Sequence, residues 1–133
     1  MNITLPISDS IHRIFEPTSG GAVELVDRLL GLCPKDGLQL DWLADHCHVR
    51  VSHGGTAELL ELPIRRSVIR AMLARVAALC NEYRSHSMSP YGGQGELLFG
   101  LNPPVLFKAT ITNTPDEQKL VLSKVAIPPN GQA

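Results

Sequence analysis

Apolar positions recur along the chain with two different periods, and the change from one to the other lays out its elements. Between residues 18 and 37, Ala22, Leu25, Val26, Leu29, Leu30 and Cys33 share one side of a helix drawn at about 100° per residue. Glu24 and Arg28 sit four apart on the other side, a weakly stabilising pair. Thr18 or Ser19 is placed to cap this helix, and Pro34 with Gly37 to end it. A longer helix is predicted from Ile64 to about Tyr83, in a stretch without glycine, ending near residues 85–87. Behind Pro6, the spacing of Ile7, Ile11 and Ile14 predicts a short additional helix over 5–15.

Elsewhere the period is two. "HVRVS" and "AELLEL" flank "HGGT", which reads as a β-hairpin. Before it, "LDWLADHC" can form a short helix capped by Asp41 or more strand, and a short helical turn is the expectation. "SPYGGQG" (89–95) reads as a loop, followed by the strands "ELLF", "VLFKATITN" and "KLVLSKVAI". The last two are joined across "TPDEQ", where Pro115-Asp116 is good turn chemistry. In the middle strand Val105, Phe107, Ala109 and Ile111 face one way and Lys108, Thr110 and Thr112 the other, so one side of the sheet is covered and one wet.

The expected fold is therefore α+β: a mainly antiparallel sheet of four to five strands packed against two main helices, with the short extra helix at the N-terminus. It forms a single domain over 1–127 with a flexible tail over 128–133. The order helix, hairpin, long helix, three strands resembles the core of longin- and roadblock-like small domains, without their final helix.

Composition narrows the functional classes. An apolar content of 44% in 133 residues supports one ordinary core. Twelve basic residues against thirteen acidic ones leave a net charge of −1, so no long-range field draws in nucleic acid or an anionic membrane. No apolar run is long enough to span a bilayer, and the first residues lack the basic-then-apolar order of a secretory signal. Cys33, Cys47 and Cys80 are odd in number and far apart, which suits free thiols in a reducing compartment; a cytoplasmic protein is expected.

The stretch "DHCHVRVSHGG" (45–55) concentrates the candidate chemistry. On an extended strand Cys47, Val49 and Val51 share one face and His46, His48 and Arg50 the other. The apolar face turns inward, leaving the histidines in water. A zinc-dependent enzyme using His46 and His48, with His53 or Cys33 completing the set, is an alternative. Arg50 on the same face and the lack of C-x-x-C or H-E-x-x-H motifs argue against it. Cys33 and Cys80 both lie near helix C-termini, where the dipole disfavours a thiolate. The glycines of "YGGQGEL" follow a helix and precede a strand, the reverse of a phosphate-binding loop. A DNA-binding regulator with a helix-turn-helix-like segment near 41–62 is the other alternative. It puts His48 at the turn position that prefers glycine and Gly54-Gly55 where the reading helix begins.

The long helix is more informative. Ile64, Val68, Met72, Val76, Leu79 and Tyr83 make its expected core stripe, widened by Ile69, Leu73 and Cys80. The opposite side carries Ala71, Ala74, Ala77 and Ala78, with Arg66, Arg70 and Arg84 along a flank. Alanine there satisfies helix propensity. It also leaves a small-residue face that a second helix can approach closely. The expectation is a small non-enzymatic interaction domain (a homodimer, adaptor or regulatory subunit) that binds a protein partner or a second copy of itself through Arg66, Arg70, Ala71, Ala74 and Ala78. No catalytic residue, metal or cofactor is expected.

Overall fold

Gly21–Leu32 forms helix α1, whose Leu25, Val26, Leu29 and Leu30 are buried along one stripe, with Arg28 and Glu24 paired on the outside. The computed structural model describes residues 21–126 apart from positions 35, 44, 54, 63 and 102. The short helix expected over 5–15, the caps at 18 and 19 and the tail 128–133 lie outside the described residues. After α1 come β1 (Leu38–Leu43), β2 (His46–His53), β3 (Thr56–Leu62), the long helix α2 (Arg66–Tyr83), β4 (Gly92–Phe99), β5 (Val105–Asn113) and β6 (Gln118–Val125).

All six strands belong to one antiparallel sheet, in the order β3-β2-β1-β6-β5-β4. Each half of the chain supplies a three-stranded meander, and the first strand of one meander pairs with the last strand of the other. Leu38 is opposite Leu122 and Leu40 opposite Leu120. Directly paired residues share a face. The register therefore runs one continuous inner row through Val51, Leu38, Leu122, Ala109 and Gly95, and another through Val49, Leu40, Leu120 and Ile111. α2 lies against β4, β5 and β6 and alongside α1, and the buried side chains of both helices join these rows in one core. No helix among the described residues is long and apolar enough to cross a membrane.

The α+β class is as expected, but the strands among the described residues number six, not four to five. One segment supplies the extra strand, and another lengthens a strand already expected. Leu38–Leu43 is strand, not a helical turn capped by Asp41. Leu38 and Leu40 are buried, and Asp41 accepts a 2.9 Å hydrogen bond from the Gln39 amide instead of capping a helix. The alternation of "LQLDWL" is satisfied by strands on both sides, β2 and β6, which a local reading does not see. β4 likewise begins at Gly92 rather than Glu96, so most of the glycine-rich "loop" is strand paired with β5. A Cβ added at Gly95 would lie 3.2 Å from the Cys80 Cβ, so the glycine lets α2 approach the sheet. Residues 46–53 and 56–62 pair as the expected hairpin, and the helices that the helix-turn-helix alternative requires are not formed there.

The core stripe of α2 is also turned from the expected one. Ile69, Met72, Leu73, Val76, Ala77 and Cys80 are buried, while Val68, Leu79 and Tyr83 are only half-buried. A helix covered by a sheet beneath and by another helix alongside buries a wider arc than a single stripe. Ala77 falls within that arc, not on the outer side.

Candidate functional site

What α2 leaves uncovered is a single ridge. Ser67, Ala71, Ala74, Ala78 and Glu82 are all exposed, spaced four, three, four and four residues apart. On a helix rising 1.5 Å per residue they run along about 22 Å of one side. Nothing larger than alanine stands in the middle of the ridge. On one flank lie Val68, Arg75 and Leu79, each half-buried, and the Nε of Arg75 is buried without a hydrogen-bond partner among the described residues. At the start of α2 the N-cap is Arg65, in extended conformation and making no side-chain capping bond, and the first turn carries no acidic residue. Glu82 stands in the last turn, at the negative end of the helix dipole.

Of the residues expected to form a contact surface, Ala71, Ala74 and Ala78 are brought together on this ridge. Arg66 and Arg70 are drawn away from it. Arg66 donates from Nε to the Gln118 side-chain oxygen at 2.7 Å, and its terminal nitrogen bonds the carbonyl of Pro115. Arg70 Nε donates to Asn113 Oδ1 at 3.2 Å, and Asn113 returns a bond to the Arg70 carbonyl. Asn113 and Gln118 are themselves buried, so the two arginines fasten the first half of α2 to the β5–β6 turn. That turn is further closed by Thr114 and Glu117, whose backbone groups bond each other. Arg66→Ala leaves the Gln118 oxygen buried without this donor and is expected to lower stability by about 1–3 kcal/mol. Urea denaturation measures it; a midpoint equal to that of the parent protein rules out a structural role for the bond.

The histidine-rich strand is arranged as its alternation predicts. Cys47, Val49 and Val51 are fully buried, and His46 and Arg50 are exposed on the opposite face of β2. His48 is half-buried there, with Nδ1 3.8 Å from the Glu61 carboxylate of β3. The thiols of Cys33 and Cys47 thus belong to the core, on the other side of the sheet from His46 and His48. Among the described residues no group of three or more His, Cys, Asp or Glu is arranged to hold a metal ion. Burial pushes the Cys33 and Cys80 thiols up to about 11, and burial together with the nearby Asp41 carboxylate pushes Cys47 up to about 12. A thiol held so far above neutral pH is a core residue and a poor nucleophile.

Two features with chemical potential escaped the sequence reading. One is the pairing of bare ends on α2, an acid in the last turn and none in the first, which helix-end composition could have signalled. The other is the edge of β4, which has no strand beside it among the described residues and carried no signal because its glycines read as a loop. No protein-family model matches the chain, and no curated protein matches it.

Proposed function

We propose that this protein is a non-enzymatic interaction domain that pairs with a second copy of itself through the exposed ridge of α2, in the manner of a dimeric adaptor or regulatory subunit. The observation that carries this reading is the continuous small-residue ridge from Ser67 to Glu82. A solvated helix face satisfies propensity with glutamate and lysine as well as with alanine. Here the only charge on the ridge is at its last position. Small side chains allow two helix axes to come within about 8 Å, where backbones and Cβ atoms pack directly.

The ends of the ridge favour a twin over an unrelated partner. In an antiparallel two-fold arrangement, Ser67 of each copy meets Glu82 of the other. Each Glu82 then lies at the positive, uncapped end of the neighbouring helix, beside Arg65. The pairing is self-complementary, as a two-fold contact requires.

Ala74→Glu places two carboxylates at the centre of this contact. It is expected to weaken association by roughly 100-fold or more, because like charges desolvated together are strongly disfavoured. The circular dichroism spectrum should not change, since Ala74 is exposed in the single chain. Native mass spectrometry and light scattering decide the matter. A parent protein that is monomeric at tens of micromolar, or an Ala74→Glu variant that still dimerises, overturns the reading.

A further inference from the structure

We draw no further inference here: the strongest candidate, the cavity of about 430 Å³ between the terminal strand β4 and the turn after α2, sets Arg84 and Lys108 against Glu96, a mixture of charges that selects no class of ligand, and nothing in the structure shows what covers it.

Discussion

Valine in place of Gly37 is expected to remove at least about 3 kcal/mol of stability, a large share of the roughly 5–15 kcal/mol that holds a domain folded. Gly37 stands at the entrance to β1 with φ of +105°, a conformation that side chains rarely adopt. Its N–H bonds the Pro34 carbonyl and its own carbonyl accepts from Ser52. A Cβ there would lie 2.7 Å from the backbone oxygen of Leu122 in β6. Backbone strain of about 1–3 kcal/mol therefore combines with overpacking of similar size. The clash falls on the β1–β6 pairing, the seam that joins the two meanders into one sheet. Gly31→Ala is the matched control: nothing lies within 4 Å of that position on α1, and the change should raise stability by up to ~1 kcal/mol. Urea midpoints measure both. A Gly37→Val variant within about 1 kcal/mol of its parent would mean that β1 and β6 do not approach as closely as described.

Alkaline pH is expected to destabilise the fold through its buried thiols. In the unfolded chain the thiols ionise near 9, whereas burial holds Cys33 and Cys80 to about 11 and Cys47 to about 12. Between these values the folded state keeps protons that the unfolded state has lost, so stability falls as pH rises. The contribution is fully present below pH 9 and is lost progressively towards pH 11 and 12. At about 1.4 kcal/mol per unit of pKa difference, each thiol removes on the order of 2–4 kcal/mol over that range. Denaturation in reducing buffer at stepped pH values gives the slope. Replacing all three cysteines by alanine should flatten it; an equally steep slope in that variant assigns the effect to lysine and tyrosine ionisation and refutes the thiol account.

The bond between Arg66 and Gln118 shows why charge next to a small-residue face is an ambiguous signal. Both arginines were expected to flank the contact surface because they sit beside the alanines in the helical order. Their side chains reach the β5–β6 turn, and Gln118 and Asn113 lie 52 and 43 residues further along the chain. Adjacency on a helix says where a side chain starts, and a long flexible one is claimed by whatever polar group is buried within its reach.

Local periodicity was enough to establish the α+β class, the two main helices, the β2–β3 and β5–β6 hairpins, and the inward turn of Cys47, Val49 and Val51 against the outward turn of His46, His48 and Arg50. These follow from one segment's own alternation, since burying apolar atoms on one face is favourable whatever covers them. The ridge of Ala71, Ala74 and Ala78 is legible for the same reason. Long-range partners settled the rest. "LQLDWL" became a central strand because β6 was there to pair with it, and Gly92–Gly95 became strand because β5 pairs with it, Gly95 lying close against Cys80 of α2. Both outcomes rest on contacts between residues remote in the chain, and such contacts leave no period in either segment to be read.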